Sequence, residues 1–140
     1  MAGFYSKGLE QGLSAVTGVG AAPTGTLKMA FMSTGYVQNK ETHQFWSDVS
    51  ASIASGTTVQ AVSGNTVTVD TVNNRVEIHT DDTTETPVTA LTDKVVLFMD
   101  TGTPSTSPLI VCANLASTAG PVGGDLTHIV NAEGWGAVNY

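Results

Sequence analysis

The chain has 140 residues, of which 41% are hydrophobic and only 12% charged, so neutral polar groups, chiefly Thr and Ser, must keep it in water. Twelve acidic against five basic residues give a formal charge of −7. Lys7, Lys28, Lys40, Arg75 and Lys94 are scattered and form no basic stripe, so neither nucleic acid nor an anionic membrane surface is expected as a partner.

The length fits one domain that can bury a core of its own. The opening MAGFYSKGLEQGLSAV lacks the long apolar stretch of a signal peptide. No run approaches a membrane span of roughly 20 apolar residues. If the protein works outside a cell, a route other than secretion is expected.

In chain order, residues 3–16 read as a short amphipathic helix or an ordered arm. Phe4, Leu9, Leu13 and Val16 recur at near-helical spacing, weakened by Gly8 and Gly12. TGVGAAPTGT is a connector. TLKMAFMST alternates, with Leu27, Met29 and Phe31 on one face and Lys28, Ala30 and Met32 on the other, which predicts a strand. VQNKETHQFWSDV predicts a loop and one helical turn carrying Phe45 and Trp46.

NTVTVDTVNNRVEIHT predicts a hairpin with Asn73-Asn74 as a two-residue turn, because Asn tolerates positive φ. That register sets Val72 across from Arg75, Thr71 from Val76 and Val69 from Ile78. It places Val67, Val69, Val76 and Ile78 on one face. DDTTETP is an acidic loop. ALTDKVVLFMDT is the longest apolar strand and suits a central position covered on both sides. The loop DTGTPSTSP, stiffened by Pro104 and Pro108, joins it to a second buried strand, LIVCANL. ASTAGPVGGD reads as another loop, and LTHIVNAEGWGAVNY as a strand with a Gly-broken tail. The expectation is a mainly β, single-domain sandwich or barrel, jelly-roll-like, over residues 26–140, preceded by an arm or helix and connector over 1–25.

The residues that could carry chemistry point elsewhere. Cys112 lies in an apolar run with no local partner to lower its pKa, and reads as a small buried hydrophobe. Asp81, Asp82 and Glu85 could hold a hard cation, but they lack an alternating oxygen-ligand pattern, and a solvated acidic loop is the plainer reading. His43, His79 and His128 lack metal-ligand spacing. GPVGGD lacks the phosphate-loop Lys, and no nucleophile elbow is present. No catalytic residue, cofactor or metal is expected.

Several segments together resemble small virion structural proteins of tailed bacteriophages. FYSKGLEQGL with its Tyr5-Ser6-Lys7-Gly8, the strand LKMAFMSTGYV, THQFWSDV with its segment His43 to Asp48, LFMDTGTPSTSPLIVCANL with its hairpin Asp100 to Ile110, and GGDLTHIVNAEGWGAV carry the likeness. The connector GVGAAPTGT is longer, and the C-terminus less polar, than in those proteins. The resemblance implies a head decoration or cement protein. Such a protein binds the major capsid protein lattice from outside, as a homotrimer, and stabilises the capsid. A tail, neck or receptor-binding component is the alternative. On this reading Phe4, Tyr5, Leu9, Leu13, Trp46, Trp135 and Tyr140 are candidate interface residues, although the two tryptophans suit a core equally well. The arm is then expected to contribute more to attachment than to folding, so that deleting residues 2–16 would leave the melting temperature of the body nearly unchanged.

Overall fold

The computed structural model describes residues 3–10, 24–85, 88–120, 124–130, 132 and 134–139. The strands are β1 (Gly3–Phe4), β2 (Thr26–Ser33), β3 (Gln60–Ala61), β4 (Thr66–Asp70), β5 (Arg75–His79), β6 (Thr83–Glu85), β7 (Thr92–Asp100), β8 (Leu109–Ala119), β9 (Leu126–His128) and β10 (Gly136–Asn139). They form a five-stranded sheet in the order β1-β8-β7-β2-β3, a three-stranded sheet β10-β5-β4 and a two-stranded sheet β6-β9. Every pairing is antiparallel. The fold is mainly β and sandwich-like, and no barrel closes among the described residues.

The apolar run Val95–Phe98 takes the centre of the large sheet, as its composition requires. Val95 and Leu97 point to one face, Val96 and Phe98 to the other, and all four are buried. The neighbours follow the same two-sided pattern. Leu27, Met29 and Phe31 of β2 join Val95, Leu97, Val111 and Ala113 in one core. Ala30 and Met32 join Val96, Phe98, Leu109 and Cys112 in another on the opposite face. A bulge keeps β8 in phase. Leu97 pairs with Val111 and Phe98 with Leu109, which leaves Ile110 as the extra residue and re-aims the strand. A second irregularity lies between Met32 and Ser33, where the buried Thr92 hydroxyl donates to the Met32 carbonyl at 2.6 Å.

Each face needs a cover. The first core is closed by Trp135, Ala54 and Val62, with Ile78 of β5 and Leu126 of β9 packed against it, so the small sheets lie on this side. Trp135 is brought there by Gly134, whose φ is +73° and where a Cβ would run into the Ile78 carbonyl. The Trp135 amide donates to that carbonyl at 2.7 Å, and its indole N–H donates to the Thr80 hydroxyl at 2.8 Å. The second core is closed by Tyr5, Tyr36 and Val49, with Trp46, Ile53 and Val59 at its margin.

Four sequence expectations about the strands change, the first being that residues 83–85 of the expected acidic loop DDTTETP form strand β6, paired with β9. The hairpin loop has four residues, Thr71 to Asn74, and Val69 faces Val76 while Val67 faces Ile78. The cause is Asp70. Its carboxylate accepts the Val72 and Asn73 amides and the Asn73 side chain, which folds the chain back one residue pair earlier. Only Asn74 has positive φ, at 53°, whereas a tight two-residue turn of the primed type needs two such residues. The shift is two residues, so Val67, Val69, Val76 and Ile78 still share a face. Residues 116–119 continue β8 instead of forming a loop. The C-terminal segment is two strands in different sheets, because Gly134 turns the chain between them.

Replacing Trp135 by Ala removes the largest cover of the first core and the indole hydrogen bond to the Thr80 hydroxyl, which keeps its own bond to the Asp81 carbonyl. A loss of about 3–5 kcal/mol in urea unfolding is expected, at unchanged m-value. A loss below about 1 kcal/mol would mean that Trp135 does not close that core.

Candidate interaction surface

The N-terminal segment is the first place the sequence points to a surface, and here the structure corrects it. Residues 3–10 are part of the body. Phe4 is half-buried in β1, which pairs with β8 through Gly3–Cys112 and Phe4–Val111. Tyr5 is fully buried, its amide donating to the Ile110 carbonyl at 2.9 Å. A helical turn follows over 6–10. The Ser6 hydroxyl donates to the Lys40 carbonyl at 2.9 Å and the Gln38 amide to the Gly3 carbonyl at 2.8 Å, so the loop after β2 clasps this segment. Tyr5 therefore has no surface to offer a partner. Leu9, at 41% exposure, does. Leu13 and Tyr140 lie outside the described residues.

Tyr5 is more than a hydrophobic plug. Its hydroxyl is 2.7 Å from that of Tyr36, which is 3.2 Å from His43 Nδ1. The Asn39 amide also reaches that nitrogen at 3.2 Å and can only donate, so Nδ1 carries the lone pair. The chain of donors then runs Tyr5 to Tyr36 to His43. Burial and the neighbouring Cys112 thiol raise the Tyr5 pKa well above its ordinary value. Burial pushes Tyr36 up to about 12 and Cys112 up to about 11, so both stay protonated at neutral pH. Cys112 is the buried small residue the sequence implied.

Trp46 and Trp135 separate in role. Trp135 is core. Trp46 is half-buried and stacks on Phe98 with centroids 4.3 Å apart and planes 1° from parallel. It begins the one-turn helix Trp46–Val49. The Asp48 carboxylate accepts the Gln44 and Phe45 amides there, and the Trp46 amide donates to the Ser107 carbonyl at 2.8 Å. The aromatic cap is thus pinned to the β7–β8 hairpin loop and left half-buried.

The segment expected as a solvated acidic loop is instead Asp81 and Asp82 leading into β6, and its carboxylates do not converge on a point. Glu85 is buried and accepts the Thr58 amide and the Gln60 side-chain amide, at 3.1 and 2.6 Å. Asp81 accepts the Ser63 hydroxyl at 3.0 Å, and Asp82 the Val130 amide at 2.8 Å. Each carboxylate holds a different stretch of chain to this segment. His79 Nε2 lies 2.9 Å from Glu77 Oε2. Glu77 Oε1 is 2.7 Å from Arg75 Nε, as an ion pair without hydrogen-bond geometry. His128 packs against Trp135, and burial holds its pKa below the usual value, with Asp82 opposing.

What sequence reading missed is an exposed apolar stripe. Val67 and Val69 of β4 and Val72 at the hairpin tip are exposed, as are Val37 and Ile129. The alternation of TVTVD does place its valines on one face. Periodicity says only that a face is apolar, and not whether the chain covers it. No family model, curated protein or solved structure matches the chain.

Two measurements check this account. The lowered His128 pKa means that the unfolded chain binds a proton there more readily than the fold does. Its contribution to stability is full above the ordinary imidazole value, about 6.5, and declines as pH falls below it. His128→Gln should flatten the fall in melting temperature between pH 7 and 5 relative to wild type (roughly one unit either side of pH 6); an unchanged slope would refute the burial. Tyr5→Ala should cost about 3–5 kcal/mol and open Cys112 to alkylation under native conditions, whereas the wild-type thiol stays closed. Unchanged stability would restore the free arm.

Proposed function

We propose that the chain is a non-enzymatic virion structural protein, a head decoration or cement protein that binds the outer face of a capsid lattice as a small homo-oligomer, a trimer, and stabilises it. One observation carries the reading beyond the sequence likeness. The segments that resemble phage virion proteins are scattered along the chain, yet four of them meet around one core. FYSKGLEQGL supplies Tyr5, LKMAFMSTGYV supplies Ala30, Met32 and Tyr36, THQFWSDV supplies Trp46 and Val49, and the β7–β8 hairpin supplies Phe98, Leu109 and Cys112. A likeness made of unrelated short matches has no reason to assemble into one packed unit.

The chemistry of the body agrees. The acidic and histidine side chains that could have served a reaction instead tie loops to one another, as Glu85, Asp82 and His43 do. Apolar side chains stand on the outside in several places, on a body that is poor in charge. A surface of that kind suits contacts with protein more than with phosphate or lipid headgroups. The attachment surface is drawn on exposed Leu9 and Val37 and half-buried Trp46, which lie on or beside the N-terminal segment and its clasp.

Adding the purified chain to emptied phage heads stripped of it should restore a saturable number of copies on the exterior, visible as added density in electron microscopy. Leu9→Asp with Val37→Asp should reduce binding by about tenfold or more, since each removes apolar contact worth about 1–2 kcal/mol. Density at the tail or neck, or a stable monomer that fails to bind heads, overturns the proposal.

A further inference from the structure

We propose that the free edge of β4 docks on β4 of a second copy, antiparallel, about a two-fold axis through Thr68. β4 ends the three-stranded sheet, and its outer edge carries no strand among the described residues. Thr66 to Val69 are all exposed, Val67 by 69% and Val69 by 59%. Natural proteins blunt such edges with charge, Pro, bulges or brevity. The large sheet does so, since it ends in the two-residue strands β1 and β3. β4 has five residues in unbroken register with β5, has no Pro or Lys, and carries its one charge, Asp70, at the end.

The occupant follows from the strand itself. In an antiparallel ladder both members of a pair are hydrogen-bonded or both are not, so only residues of like parity can face each other across the edge. The register that uses all five residues sets Thr66 against Asp70 of the other copy, Val67 against Val69, and Thr68 against Thr68. The apolar rows then run on without a break, from Ile78 through Val67 to Val69 and Val76 of the second copy. Two chains of charge −7 would ordinarily repel, but no like charges face each other here. Asp70 is paired with Arg75 of its own copy at 3.1 Å and lands opposite a neutral Thr. The sequence TVTVD is thus complementary to itself in a way that an unrelated strand need not be.

Five paired residues fall well below the roughly 800 Å² per partner of a stable dimer. The contact is therefore weak between free molecules and gains strength where copies are already held side by side. It stands apart from the capsid reading, because it is tested on the free chain.

Thr68→Cys puts two thiols across the axis, at a Cα separation of about 4.5–5.5 Å that suits a disulfide. Oxidation at high protein concentration should give a covalent dimer on a non-reducing gel. Thr66→Cys, equally exposed but facing Asp70, should remain monomeric and also controls for Cys112. Adding Val67→Lys and Val69→Lys to Thr68→Cys sets ammonium groups opposite one another and should abolish the dimer, while the exposure of both sites leaves folding intact. Thr68→Cys that stays monomeric, or Thr66→Cys that crosslinks as readily, overturns the proposal.

Discussion

The rest of the structure depends on the demand made by β7. Val95 and Leu97 on one side and Val96 and Phe98 on the other cannot be hidden by a single layer. A sheet with two apolar faces must be covered twice, and a chain of 140 residues has little material for it. One cover is assembled from small sheets and Trp135. The other comes from single side chains on loops, Tyr5 and Tyr36, and on the helical turn Trp46–Val49. That economy explains why Tyr5, so near the start of the chain, sits in the interior.

Both covers consist of short elements, so hydrogen bonds hold them where long ladders do not. Glu85 ties Thr58 and Gln60, at the entry to β3, to β6, and Asp82 ties the segment after β9 to the start of the same strand. Tyr5, Tyr36 and His43 link the core to the loop that clasps the N-terminal segment. Buried polar groups with their partners made specify one arrangement, and the same groups left single would be costly. The polar side chains of this protein are best understood as its joints.

Much of the fold was legible because periodicity states burial directly. The two-sided pattern of TLKMAFMS and the unbroken run of VVLF gave β2 and β7 with their neighbours, and the turn at Trp46 followed from its place in a polar stretch. The hairpin register was not legible, because a side chain decides it. Asp70 captures amides that the residue preferences of Asn73 and Asn74 would have left to the backbone. The place of Tyr5 was hidden for another reason: two residues of strand leave no period to read, and their partner lies more than a hundred positions away. The stripe of Val67 and Val69 was visible as a pattern, but its exposure depends on which elements arrive to cover it.

That long separation also orders events during synthesis. Gly3 and Phe4 pair with Cys112 and Val111, so β1 cannot find its place until β8 has left the ribosome. At translation rates of about 5–20 residues per second the N-terminal segment waits on the order of ten seconds. During that time the second face of β2 is uncovered, and loop-closure entropy disfavours early closure. The nascent chain thus carries the apolar surface of Ala30 and Met32 without its Tyr5 cover until β8 arrives, and Trp135 closes the opposite face only later still.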